Sequence, residues 1–272
     1  MAHRIEVEHG TTLFVEDIGS GQPVIFLHGW PVNHKMFEHQ MATLPEQGFR
    51  FIGVDLRGYG QSDKPAHGYD YDRMADDLRV VIDTLGLKDA VLCGFSMGGA
   101  IAIRYMAKHG EKGIARLALL GAAAPVFTQR DDFEYGLPKE NVDGLIDGAY
   151  TDRADMLKDF GGLFFGKEPS THYNSWFHSL GMQAGPHATI ASARTLRDAD
   201  LRDDLAAISV PTAILHGRND GICPFDLAEQ MEKGIEDATI IPFEESGHSL
   251  FHDEQEKFNE TLIQFISEPV KL

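Results

Sequence analysis

The sequence predicts an α/β fold: a mostly parallel sheet of eight strands, helices on both faces, and a helical segment inserted over one end of the sheet. Three observations predict it. Short, continuous apolar runs recur along the chain, as in strands covered on both sides. Amphipathic stretches with helical spacing separate them. Between about residues 125 and 207 this alternation stops, and aromatic residues stand among charged ones. Alternating strands and helices make a parallel sheet, and such sheets bind ligands outside the carboxyl ends of their strands.

The elements follow in order. Ile5 and Val7, then Leu13 and Val15, alternate with polar neighbours on either side of His9-Gly10-Thr11, which reads as a β-hairpin. Pro23-Val24-Ile25-Phe26-Leu27, Phe51-Ile52-Gly53-Val54, Ala90-Val91-Leu92-Cys93, Leu117-Ala118-Leu119-Leu120 and Thr212-Ala213-Ile214-Leu215 read as buried strands. Thr239-Ile240-Ile241-Pro242-Phe243 closes the set, and its proline marks an edge strand or a strand end. Met74, Leu78, Val81, Ile82 and Leu85 form one helix face ended by Gly86, and Phe258, Leu262, Phe265 and Ile266 form another. The expected division is a core of residues 1–124 and 208–272 with a helical lid, 125–207, folded over the strand ends. An ordinary outer layer of helices with aromatic core residues would leave the same pattern.

Composition narrows the classes. The chain has 272 residues and a formal net charge of −18, from 42 acidic against 24 basic side chains. A polyanion is repelled by such a surface, so nucleic acid and anionic membrane are not expected partners. Cys93 and Cys223 are the only cysteines, which excludes a disulfide scaffold and fits a reducing cytoplasm. The first residues lack a signal pattern, and no apolar run approaches the roughly 18 residues of a membrane span. A soluble cytoplasmic protein is expected. No metal motif of the H-E-x-x-H kind, no phosphate-cradling loop and no dinucleotide fingerprint occurs, so neither metal nor cofactor is expected.

The motif that carries chemistry is Gly94-Phe95-Ser96-Met97-Gly98-Gly99, between an apolar strand and the helical segment that begins at Ala100. A G-x-S-x-G sequence in a strand–turn–helix setting reads as a nucleophile elbow, with Ser96 lifted out at the apex of a tight turn. A helix cap flanked by small residues would explain the motif without chemistry. Two residues answer the need for a base and its partner. Asp220 follows the strand at 212–215, and His248 follows the last strand in Ser246-Gly247-His248-Ser249. His248 would take the Ser96 proton, while Asp220 fixes the imidazole tautomer and stabilises the cation. Asp237 is the reserve candidate for the acid. After the third strand comes Leu27-His28-Gly29-Trp30-Pro31, where the Trp30 N–H, with that of Met97, is placed to form an oxyanion hole. His28 reads as a structural residue holding that loop, and Pro31, which has no N–H, shapes it.

Together with Asp55-Leu56-Arg57-Gly58-Tyr59-Gly60-Gln61-Ser62, these segments resemble the α/β-hydrolase superfamily, and within it the small bacterial esterases and cofactor-independent haloperoxidases (perhydrolases). The likeness runs nearly end to end, is most specific over residues 20–125 and weakest over the lid. It implies the α/β-hydrolase fold, a Ser96–Asp220–His248 triad, Trp30 and Met97 as oxyanion donors, and a bracing role for Asp55 and Arg57. Serine at position 96 argues against the relatives with an aspartate nucleophile. The implied activity is hydrolysis of a small carboxylic ester or lactone through an acyl-serine, with perhydrolysis as a side activity. In the resembled family, proline after the tryptophan goes with that perhydrolase character. Trp30, Phe127, Phe160, Phe164 and Trp176 are the expected substrate contacts, favouring an apolar acyl or aryl group. N-acyl homoserine lactone hydrolysis, or a small-molecule receptor with vestigial hydrolysis, are the alternatives. Relatives form several oligomers, so homo-oligomerisation is left open.

Overall fold

The computed structural model describes residues 1–268, and all eight expected runs are strands in it. β1 (Ala2–Glu8) and β2 (Thr11–Gly19) form the amino-terminal hairpin. β3 (Gln22–Leu27), β4 (Phe49–Val54), β5 (Ala90–Phe95), β6 (Ile114–Leu120), β7 (Thr212–Gly217) and β8 (Ala238–Phe243) follow. The order across the sheet is β1-β2-β4-β3-β5-β6-β7-β8. Pairing is antiparallel for β1/β2 and β2/β4 and parallel from β4 to β8. The apolar runs are continuous because β3, β5 and β6 lie inside the sheet with both faces covered. Val24 to Leu27 and Ala90 to Cys93 are all buried. Pro242 is tolerated because β8 is the edge strand beyond β7.

The helices cover both faces: α1 (Glu38–Glu46), α2 (Tyr71–Thr84), α3 (Met97–His109), α8 (Phe225–Gly234), α9 (Leu250–Asp253) and α10 (Gln255–Ser267). On α2 the Asp70 side chain caps the first turn by accepting from the Arg73 N–H, and Met74, Leu78, Val81 and Ile82 form its buried face. Gly86, at φ +60°, lies just past its end as the sequence indicates. On α10, Phe258, Leu262 and Ile266 are buried, with Phe265 half-covered beside them. α1 has no such signature. It buries only Gln40 and Leu44 and carries Pro45 in its last turn, so its periodicity is faint.

Between β6 and β7 the chain forms α4 (Lys139–Thr151), α5 (Arg153–Gly162), α6 (Thr171–Met182) and α7 (Pro186–Asp198), with no named strand. Pro186 opens α7, where its missing N–H costs nothing. α7 is tied to the rest of the protein. Its Thr195 hydroxyl donates to the Tyr69 carbonyl, and its Thr189 carbonyl accepts from the Trp30 indole at 2.9 Å.

Candidate active site

Four loops meet at the carboxyl ends of the parallel strands. They leave β3, β5, β7 and β8, and carry Trp30, Ser96, Asp220 and His248 respectively. Asp237 precedes β8 instead, at the opposite end of the strand from His248.

Ser96 stands at φ +53°, ψ −118°, a left-handed conformation that costs a non-glycine residue free energy. Its surroundings hold it there. The Ser96 N–H donates to the Leu120 carbonyl, and the Ser96 carbonyl accepts from the Ala123 N–H, both at 3.0 Å. The motif glycines are set by close approach. A Cβ on Gly94 would stand 2.5 Å from the Gly98 oxygen, and one on Gly98 would enter the Leu27 carbonyl. A Cβ on Gly99 would meet Ala122, past the end of β6, at 2.5 Å. Ser96 therefore opens α3 with its hydroxyl uncommitted to capping.

His248 and Asp220 are both buried, and His248 Nδ1 donates to Asp220 Oδ2 at 2.7 Å. Asp220 Oδ1 accepts from the Ile222 and Cys223 N–H groups at 2.9 and 2.8 Å, which fixes the carboxylate. His248 Nε2 has no hydrogen-bond partner among the described residues. Cys223 lies beside this pair, and burial pushes its thiol pKa well up. Hydrogen bonds between a nucleophile and its base are often loose without substrate. Phe95 and Phe164 pack on the His248 ring, with centroids 4.7 and 4.8 Å away. The loop that carries His248 is clamped to the segment after α5. Asp253 Oδ2 accepts from the Gly166 N–H at 2.8 Å and the Gly247 N–H at 2.9 Å, and Ser249 N–H donates to the Phe164 carbonyl.

The Trp30 and Met97 N–H groups make no hydrogen bond among the described residues. The loop beneath them is braced by His28. Its Nε2 accepts from the Leu56 N–H at 3.0 Å, so Nδ1 carries the proton and donates to the Gly29 carbonyl at 2.9 Å. Burial pushes the His28 pKa down to about 4, so it is neutral. Asp55 accepts from the His34 ring, the His34 N–H and the Gln61 N–H. Burial pushes its pKa up, but the His34 hydrogen bond and charge outweigh that, and its carboxyl titrates below the usual range. Arg57 makes a bidentate pair with buried Asp77 at 2.6 and 2.8 Å. Neither Asp55 nor Arg57 hydrogen-bonds to Ser96, Asp220 or His248 among the described residues.

A narrow apolar cavity opens on Ser96, lined by Trp30, Phe127, Phe160, Val142, Leu145 and Leu196 among others. Trp30 and Phe160 meet edge to face with centroids 4.9 Å apart. Of the expected substrate contacts, Trp30, Phe127 and Phe160 thus line this cavity. Phe164 lies behind it on His248, and Trp176 packs on Tyr173 and Phe177 of α6, off the cavity. A larger cleft of about 550 Å³ lies between α5 and α6, around Asp155, Lys158 and His178, and holds none of the four loop residues.

Two buried groups at this site carry no sequence motif. Cys223 lies beside Ser96 and Asp220, and its carbonyl accepts from His216 Nε2 at 2.7 Å. Burial depresses the His216 pKa, and its ring stands 3.6 Å from Asp220. The only hint was spacing: position 223 falls three residues after the acid, where the loop must turn back to cradle it.

Residues 22–255 match the family model of the alpha/beta hydrolase fold. An esterase from Exiguobacterium antarcticum superposes with a TM-score of 0.97 at 53% identity, covering 98% of this chain and all of the other. A non-heme haloperoxidase from Rhodococcus erythropolis is 33% identical over 96% of this chain and 98% of its own length. A bifunctional esterase/perhydrolase from Acinetobacter calcoaceticus is 30% identical, again over 96% and 98% of the two chains. No described helix is long and apolar enough to cross a membrane.

Proposed function

This chain belongs to the α/β-hydrolase family, and we propose that it hydrolyses small carboxylic esters through an acyl-serine intermediate. The observation that carries this reading is the buried His248, its Nδ1 held by Asp220 and its Nε2 free, in the loop cluster that presents Ser96. In this reading Nε2 takes the Ser96 proton as Oγ attacks the ester carbonyl carbon. The oxyanion that forms accepts from the Trp30 and Met97 N–H groups, which have no acceptor of their own among the described residues. Collapse expels the alcohol, protonated by His248. Water then attacks the acyl carbon, His248 taking its proton; the bond to Ser96 Oγ breaks, His248 returns that proton to Oγ, and the acid leaves. The 125–207 segment acts as the lid, and Trp30, Phe127 and Phe160 select an apolar acyl group.

Hydrogen peroxide in place of water gives a peracid. The similarity to a bifunctional esterase/perhydrolase favours this side activity, and Pro31, next to Trp30, shapes the loop it would depend on. Pro31→Leu should lower peracid formation relative to ester hydrolysis; an unchanged ratio removes Pro31 from that role.

The test is turnover of p-nitrophenyl acetate and butyrate beside simple lactones and homoserine lactones. Ser96→Ala and His248→Ala should each lose roughly three or more orders of magnitude in kcat. A Ser96→Ala rate equal to wild type defeats the reading.

A further inference from the structure

We propose that the cleft between α5 and α6 is the outer end of an acyl-chain route from Ser96, gated by the Phe160 ring, and that the protein takes esters of straight-chain acids too long for the Ser96 cavity alone. The proposal deepens the ester-hydrolase reading above and rests on it. Three voids lie in a row and share walls. Phe160 bounds the cavity on Ser96. It also bounds a small apolar void beyond, with Pro31, Leu157, Gly161, Phe177 and Gly181 among the other walls. Leu157, Gly161 and His178 in turn wall both this middle void and the wide cleft.

The chemistry of the walls changes in the order a hydrocarbon chain requires. The first two voids are mostly apolar, where methylene groups gain by leaving water. Polar side chains gather only at the cleft, where Asp155, Lys158, Asn174 and Ser175 are exposed. The end of a long chain would emerge there into solvent.

The turn that carries the gate is weak. Phe160 lies in the last turn of α5, and Gly161 and Gly162 complete it. Each glycine costs a helix about 1 kcal/mol relative to alanine, so this turn can loosen while the rest of α5 stays folded. The ring itself is held by apolar contacts, with centroids 4.9 Å from Trp30 and 6.1 Å from Phe164. The same glycines offer a way to plug the route. A Cβ on Gly161 meets nothing within 4 Å, and one on Gly181 stands in ordinary contact with Leu157 and Pro31 at 3.6 Å. Gly161→Leu and Gly181→Leu therefore each add bulk at the wall of the middle void, and the first also replaces glycine with a better helix former.

The experiment compares kcat/KM for p-nitrophenyl acetate, butyrate, octanoate and decanoate on the whole protein, with the long esters kept below the concentrations at which they form micelles. Wild type should turn over decanoate. Each plug should lower decanoate relative to acetate by roughly tenfold or more, with acetate itself within about twofold of wild type. Phe160→Ala should raise the decanoate ratio, and Gly181→Leu added to it should remove that gain. A ratio unchanged in both plugged variants overturns the route, and a Phe160→Ala gain that survives the plug overturns the gate. A plug that slows decyl acetate but not p-nitrophenyl decanoate places the alcohol in the route and overturns the acyl assignment. Ser96→Ala separates the two readings. Acetate turnover independent of Ser96 defeats the serine mechanism, whereas Ser96-dependent turnover with an unchanged chain-length profile defeats the route alone.

Discussion

At the scale of single residues, the site depends on how closely backbones approach. A Cβ on Gly29 would stand 2.9 Å from both Ser96 Cβ and Phe95 Cδ1. Gly29→Ala should therefore displace the serine or the Trp30 amide and lower kcat roughly 10- to 100-fold, with a smaller change in the urea midpoint. A kcat within about twofold of wild type would show that the loop absorbs the methyl group. His28 gives a pH dependence. Its folded pKa of about 4 lies below the ordinary 6.5, so the unfolded chain binds the extra proton first. The stability it contributes is whole above pH 6.5 and is lost as pH falls towards 4, on the order of 3 kcal/mol. Urea midpoints from pH 7 to 4.5 should fall more steeply for wild type than for His28→Gln. Arg57→Ala takes the bidentate partner from buried Asp77, which keeps Arg73 on Oδ1 alone, and should cost about 2–3 kcal/mol, read from the urea midpoint. The proposed reacting groups are legible because each sits in a local pattern: a glycine-flanked serine, and an aspartate and a histidine past later strands. Cys223 and His216 are not, since what matters about them is burial beside Asp220, and burial is set by residues far away in the chain.

Among elements, those with strong patterns were read and those without were missed. α2 and α10 bury one clean stripe each, and the sheet strands are buried on both faces. α1 buries two residues and ends in a proline turn, so tertiary position rather than periodicity makes it a helix. The lack of strand runs between β6 and β7 points to helices there, as the structure has them, but the aromatic residues among them do not tell which ring faces Ser96. Phe164 and Trp176 follow the same composition as Phe160, yet pack on the histidine and on α6. That division is testable. Phe160→Ala should widen the cavity and raise kcat/KM for p-nitrophenyl octanoate relative to acetate, whereas Trp176→Ala should leave that ratio near wild type. The clamp between elements matters too. Asp253→Ala leaves the Gly166 and Gly247 N–H groups without their acceptor, and should destabilise by about 2–3 kcal/mol and lower kcat. Unfolding by urea and initial rates on one ester check both.

For the molecule as a whole, charge is the property read most directly from composition. A net −18 repels itself in the folded state. Added salt screens this over roughly 10 Å at 0.1 M, so the melting temperature should rise with NaCl between low and moderate ionic strength. A flat or falling curve would mean that surface ion pairs such as Arg202–Asp200 outweigh the repulsion. The strand order and the parallel pairing from β4 to β8 agree with the alternation of elements, because parallel neighbours need a crossover, here helical, between them. The Asp253 clamp has a consequence for engineering by recombination. Exchanging residues 125–207 for the corresponding piece of a relative looks like a clean way to import a new specificity. But Gly166 and Lys167 inside that cassette are held by Asp253, and Phe164 by Ser249, in the loop that aims His248. A chimaera cut only at the two borders would inherit a histidine set for the wrong guest, and 245–254 must travel with the graft.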